Sequence, residues 1–166
     1  MKVIVETDRL YLREHTAEDA ENAYHLNSDP EVLKYTGDDS FQTIEEAKEF
    51  LLKYDHYEKY GFGRWAVIEK KSGDYLGWCG LKYTPDLDEF DIGYRLMKKY
   101  WNQGFATEAG KACLEIGFNQ FNMKRIVGRA MKENLASIKV LEKLGLIMLE
   151  ERDCADKDGV VYIIHK

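Results

Sequence analysis

The chain has 166 residues, with 24 lysines and arginines against 30 aspartates and glutamates, for a formal net charge of −6. That length points to one domain, residues 1–166, large enough to bury roughly 70% of its unfolded surface around a single core. The acidic balance, without a dense basic patch, speaks against a protein that grips nucleic acid through its phosphates, and no apolar run approaches the roughly 18 residues of a membrane span.

In chain order, Leu10-Tyr-Leu-Arg-Glu14 reads as a strand leading to Thr16, an N-cap with Asp19 three residues on. A first helix is predicted from about Ala17 to Asn27 and is broken at Asp29-Pro30, because the residue before proline avoids helical backbone. After the polar loop 36–40, a second helix is predicted from about Ile44 to Lys59. Arg64–Glu69 and Tyr75–Tyr83 flank a glycine-bearing turn as a β-hairpin, and a third strand, about Phe90 to Met97, extends it into an antiparallel meander.

In that third strand Phe90, Ile92, Tyr94 and Leu96 share one face, and Glu89, Asp91, Gly93 and Arg95 the other. A helix follows, with Ala109, Ala112, Cys113 and Ile116 as its apolar stripe. The next β run, Lys124 to Ala130, is expected to lie parallel to the third strand, as a βαβ crossover demands. Asn134 then caps a helix ending at Leu144, with Gly145 closing it in the left-handed region, and two strands, 146–152 and 159–164, finish the chain.

Between the third strand and its helix lies Trp101-Asn-Gln-Gly-Phe-Ala-Thr107, a turn feeding a helix N-terminus. Backbone N–H groups there have no intrahelical acceptors and sit at the positive end of the dipole, so the turn is a cradle for a phosphate. The lysine of a P-loop is missing, and of the three spaced glycines of a dinucleotide fingerprint only Gly104 is present, which disfavours nucleotide hydrolysis and Rossmann binding. Cys79, Cys113 and Cys154, like the four histidines, are scattered without metal-ligand or disulfide spacing, so neither a metal site nor a disulfide framework is expected. Without the basic and apolar regions of a signal peptide, the expected location is the cytoplasm.

Taken together, Ile92-Gly-Tyr-Arg-Leu96, Trp101–Ala109, Asn134-Leu-Ala-Ser137 and Leu141-Glu-Lys-Leu-Gly145 resemble the GNAT acyltransferases, and within them the RimJ/RimL-like branch of ribosomal-protein N-terminal acetyltransferases. The resemblance covers nearly the whole chain, from Thr7-Asp-Arg9 onward. It implies a single α/β GNAT domain, a mixed central sheet of about seven strands with about four helices, the βαβ unit surrounding the acetyl-CoA turn. It implies acetyl-CoA as donor and a primary amine as acceptor, with no metal. Leu96 and Met97 would line the pantetheine arm through their backbone, Asn102, Gln103, Gly104, Phe105, Ala106 and Thr107 would take the pyrophosphate, and Asn134 would contact CoA or serve only as an N-cap.

The chain departs from the common pattern in places. Trp101 opens the turn, Asn102 stands where glycine is frequent and must tolerate positive φ, and Leu141 occupies the position of a frequent proton-donating tyrosine. Thioester aminolysis needs a neutral amine and a proton for the leaving thiolate. A protein α-amine, pKa about 8, is roughly a fifth neutral near pH 7.4, whereas a lysine amine, pKa about 10.4, is only about 0.1% neutral.

An α-amine acceptor therefore needs little base, and Asp91 and Glu89 are the candidates, with a solvated strand edge as their alternative role. The RimL-like resemblance implies Ser137 as the donor to the thiolate; its alternative is simply the third residue of a capped helix. By the same resemblance the expected function is acetyl transfer to a peptide or protein N-terminal amine. A small-molecule acetyltransferase and a non-catalytic acyl-CoA-binding module are the alternatives, and monomer and homodimer both stay open.

Overall fold

The computed structural model describes residues 2–166. Eight strands form one sheet: β1 (Val3–Glu6), β2 (Leu10–Arg13), β3 (Arg64–Glu69), β4 (Tyr75–Thr84), β5 (Glu89–Leu96), β6 (Arg125–Met131), β7 (Ile147–Glu151) and β8 (Gly159–His165), in spatial order β1-β2-β3-β4-β5-β6-β8-β7. Every neighbouring pair is antiparallel except β5 and β6. The parallel pair is the predicted crossover, closed by α5 (Phe105–Asn119). The short edge strand β1 adds one strand to the expected number.

The first predicted helix opens as a 3₁₀ turn, Ala17–Asp19, and continues as α1 (Ala20–Leu26). Thr16 and Asp19 form a capping box, with Thr16 N–H donating to Asp19 Oδ2 at 2.9 Å, and Arg13 grips both oxygens of Asp19 at 2.8 Å. Pro30 begins the single-turn α2 (Pro30–Leu33), where its missing N–H costs nothing.

The helix predicted over 44–59 is in fact two, α3 (Ile44–Lys53) and α4 (His56–Tyr60), with Tyr54 leaving helical backbone at ψ 109°. Tertiary hydrogen bonds explain the break. Tyr54 Oη accepts from Arg64 N–H at 2.8 Å, and the Tyr57 hydroxyl donates to Arg64 C=O, so two phenols grip both backbone groups of one strand residue. Gly63 permits the approach, since a Cβ there would lie 2.7 Å from Tyr54 Oη.

The main core lies between the sheet and α5, with Trp65, Leu76, Leu81, Ile92, Phe105, Ala109, Cys113 and Ile126 essentially buried. Trp65 is thus a core residue. A smaller cluster of Leu26, Val32, Ala66, Ile68 and Tyr75 seats α1 and α2 on the opposite face. Cys79 and Cys113, far apart in sequence, meet in the main core as free thiols with sulfurs 3.7 Å apart, and burial pushes the Cys113 thiol up. Among the described residues no helix is long and apolar enough to cross a membrane.

Candidate active site

Two strand-and-helix boundaries build the site. The first is the turn after β5. Asn102 and Gly104 both take left-handed backbone, at φ 61° and 80°, as the sequence requires of Asn102. These two positive-φ residues flip the peptide planes so that the chain enters α5 with its leading N–H groups outward. Among the described residues, the N–H groups of Asn102, Gln103, Gly104, Phe105, Ala106 and Thr107 donate to no acceptor, and the first backbone bond into the helix runs from Glu108 N–H to Gly104 C=O at 3.0 Å. Trp101 to Gly104 are exposed, and Phe105 anchors the helix start in the core.

The N-terminal segment braces this turn from behind. Arg9 Nε donates to Glu108 Oε1 at 2.8 Å, Arg9 Nη1 donates to Gln103 C=O at 2.9 Å, and the guanidinium lies 4.3 Å from the Phe105 ring centre. Thr7 Oγ1 completes the clasp on Glu108 Oε2 at 2.5 Å. Burial disfavours the Glu108 carboxylate, but the Thr7 and Arg9 hydrogen bonds outweigh it and hold its pKa below the ordinary value. No cationic side chain is aimed into the cradle by these contacts; its positive character comes from backbone.

The second boundary is the fork between β5 and β6. Their parallel register holds only at Asp91 with Val127 and Ile92 with Gly128, although β5 runs on to Leu96 and β6 to Met131. Antiparallel alternation against β4, fixed by Met97 N–H donating to Leu76 C=O at 2.8 Å, turns the backbone groups of Tyr94 and Leu96 toward β6. Beyond the fork no strand meets them. Leu96 C=O accepts from the Trp101 indole at 2.8 Å, and its N–H is left facing the gap. Met97 differs from the expectation in having both backbone groups engaged, its C=O accepting from Tyr100 N–H at 2.9 Å.

Helix α6 (Leu135–Lys143) docks at the fork because Gly128 has no side chain: a Cβ there would lie 2.4 Å from Leu141 Cδ2. Asn134 is the N-cap, its Oδ1 accepting from Ser137 N–H at 3.2 Å. Ser137 and Leu141 are one turn apart on the same face, so the buried Leu141 packs on β6 while Ser137 faces Tyr94 of β5. Tyr94 Oη donates to Ser137 C=O at 2.7 Å and lies 3.2 Å from Ser137 Oγ.

On the opposite face of β5, charged groups pair in a chain. Arg64 Nη2 donates to Asp91 Oδ1 at 2.7 Å, and Arg129 Nη1 faces Asp91 Oδ2 at 3.5 Å. Arg129 Nη2 also donates to Glu89 Oε1 at 2.5 Å, and Arg152 reaches both Glu89 oxygens at 3.0 and 3.1 Å. Burial opposes ionisation of Glu89, yet the Arg152 and Arg129 hydrogen bonds prevail and draw its pKa below the usual range. Further along, Arg95 donates to Asn27 Oδ1 at 2.6 Å and Asp38 Oδ2 at 2.8 Å. Arg64 and Arg95 each lie 5.2 Å from the Trp78 ring.

Leu96, Ser137 and Asn134 thus border the fork, with the turn 102–107 beyond the end of β5, while the Asp91 side chain lies on the opposite face of the strand with Arg64 and Arg129. Glu89 sits one alternation further from the opening. Sequence reasoning missed Arg64, Arg129, Arg152 and Tyr94. Of these only Tyr94 carried a local signal, its place on the same strand face as Ile92 and Leu96.

A family model described as an Acetyltransferase (GNAT) domain matches residues 9–147. The chain is 33% identical over 140 residues to a Bacillus licheniformis protein named Uncharacterized N-acetyltransferase p20, which spans 83% of this chain and 79% of that one. The crystal structure of a GNAT-family acetyltransferase from Bacillus anthracis superposes with a TM-score of 0.83 at 27% identity, covering 99% of this chain and 98% of that one. Spermidine N-acetyltransferase from Vibrio cholerae, solved with CoA and spermine, shares the fold at a TM-score of 0.80 and 17% identity over 96% of both chains. With a free N–H cradle at the head of α5 and a fork whose strand edges stand unpaired, the chain belongs to the GNAT family and is an acetyl-CoA-dependent acetyltransferase.

Proposed function

We propose that the protein acetylates a weakly basic primary amine, the α-amine of a peptide or protein N-terminus, as a RimJ/RimL-like member of the family. The observation that carries this reading is the pairing on the acceptor face. Asp91, Glu89 and Asp38 each already face an arginine, so none of these three is left as spare negative charge for a polycation or as a strong base for an amine of high pKa. An α-amine, partly neutral near pH 7.4, needs neither.

The turn 102–107 holds the CoA pyrophosphate through its vacant N–H groups, and the Leu96 N–H takes a carbonyl of the pantetheine arm along the open edge of β5. Asn134 supports this by fixing the first turn of α6. CoA supplies the activated thioester; the amine attacks its carbonyl directly, the C–S bond breaks, and no covalent enzyme intermediate forms. Asp91, at the base of the fork, ranks ahead of Glu89 as the carboxylate that takes the amine proton through water, because Glu89 lies two residues further from the opening along β5. Ser137 Oγ passes a proton to the departing sulfur and recovers, by way of water, the one that Asp91 took from the amine, so neither side chain carries a changed charge afterwards.

The test is acetyl transfer to matched peptides followed by mass spectrometry. A peptide with a free N-terminus and no lysine is expected to gain one acetyl group. Its N-terminally blocked counterpart bearing a lysine, and spermidine, are expected to react at least about tenfold more slowly. Faster acetylation of spermidine or of the lysine would reverse the assignment.

A further inference from the structure

Ser137 is held more tightly than the third residue of a capped helix requires. Its N–H is bound by Asn134, as capping alone explains. Its C=O and its hydroxyl, however, both meet a phenol from another element, Tyr94 Oη, at 2.7 and 3.2 Å. Tyr94 reaches across from β5 just beyond the last paired residue, Ile92, so its hydroxyl spans the opening of the fork. Burial pushes the Tyr94 phenol well above the ordinary tyrosine value, which keeps it protonated throughout the working pH range. Its one proton is committed to the Ser137 carbonyl at the shorter distance. The phenol oxygen is then an acceptor for the Ser137 hydroxyl and holds its rotor at the fork until the departing sulfur takes over as acceptor.

We infer that Tyr94 is a positioning residue for Ser137 in acetyl transfer: it pins the first turn of α6 through the Ser137 carbonyl and orients the Ser137 hydroxyl at the fork. The inference rests on the proposed role of Ser137. Tyr94 remains neutral through the cycle and gives no proton away; what it supplies is orientation, which acts on the chemical step and not on cofactor binding.

The experiment compares wild type, Tyr94→Phe, Ser137→Ala and the double variant with one peptide acceptor, measuring kcat and the KM for acetyl-CoA. Phenylalanine keeps the ring and its packing. Ser137→Ala is expected to lower kcat by up to about 100-fold, and Tyr94→Phe by about tenfold, with KM for acetyl-CoA within about twofold of wild type. In the Ser137→Ala background Tyr94→Phe is expected to add nothing, because the group it orients is gone. Multiplicative losses in the double variant, or a raised KM with kcat unchanged, would show Tyr94 acting by another route and overturn the inference. A full loss in Ser137→Ala beside an unaffected Tyr94→Phe overturns it while leaving the serine in place. Wild-type kcat in Ser137→Ala removes the serine role itself.

Discussion

The turn before α5 and the polar face of β5 use opposite resources. In the turn, a run of backbone N–H groups from Asn102 to Thr107 has no partner among the described residues, and side chains only brace it from behind, through Arg9, Thr7 and Glu108. On the polar face of β5 side chains carry the charge, each of Asp91, Glu89, Arg64, Arg129, Arg152 and Arg95 having an opposite partner. The turn can therefore accept an anion as it stands, while the polar face of β5 has its charges paired; under the proposed function these are the CoA side and the amine side.

Breaking a pair on the closed face has the largest expected effect. Asp91→Ala leaves the Arg64 guanidinium, whose side chain is 19% exposed, without its carboxylate, and is expected to destabilise the fold by about 3 kcal/mol. A thermal melt would show this as a fall of about 9 °C for a chain of this size. Replacing both partners with apolar residues, Arg64→Met with Asp91→Leu, is expected to recover most of it, and a double variant as unstable as the single one would refute the pairing argument.

On the open side, Gly104→Val forces a β-branched residue to φ near 80° and sets a Cβ 3.4 Å from Arg9 Nη2. The strain should weaken CoA binding by about tenfold, measured by calorimetry with CoA alone.

A smaller effect follows from Glu89. Its folded pKa lies below the unfolded value of about 4.3, so the stability it contributes is full above that value and is lost as pH falls through the folded pKa. Glu89→Gln lacks this term. The gap in unfolding free energy between wild type and variant should narrow on acidification from pH 7 to pH 3, as read from urea melts at each pH.

What the sequence disclosed follows the same division. Strand faces, the βαβ crossover, the Asn134 cap and the turn with its left-handed Asn102 were legible because each is decided within a few residues by periodicity, capping or backbone sterics. The eighth strand, β1, is only four residues long at a sheet edge and carried no turn signal. The break at Tyr54 was hidden because its cause is Arg64, ten residues away, whose backbone two tyrosines must reach. The arginine chain was hidden for a stronger version of that reason: Arg64, Asp91, Arg129 and Arg152 lie on four separate strands or their ends, and only the sheet register aligns them. Tyr94 could be placed on the correct face, but its partner depends on α6 docking through Gly128.

The most direct test of the contrast between an open backbone cradle and a closed side-chain face is a titration of the ¹⁵N-labelled protein with CoA, following amide and arginine Nε–H resonances together. The amides of Asn102 to Thr107 and of Leu96 are expected to shift progressively with CoA, while the Nε–H signals of Arg64, Arg129 and Arg152 stay in place. Unmoved turn amides alongside shifted arginine signals would contradict that contrast.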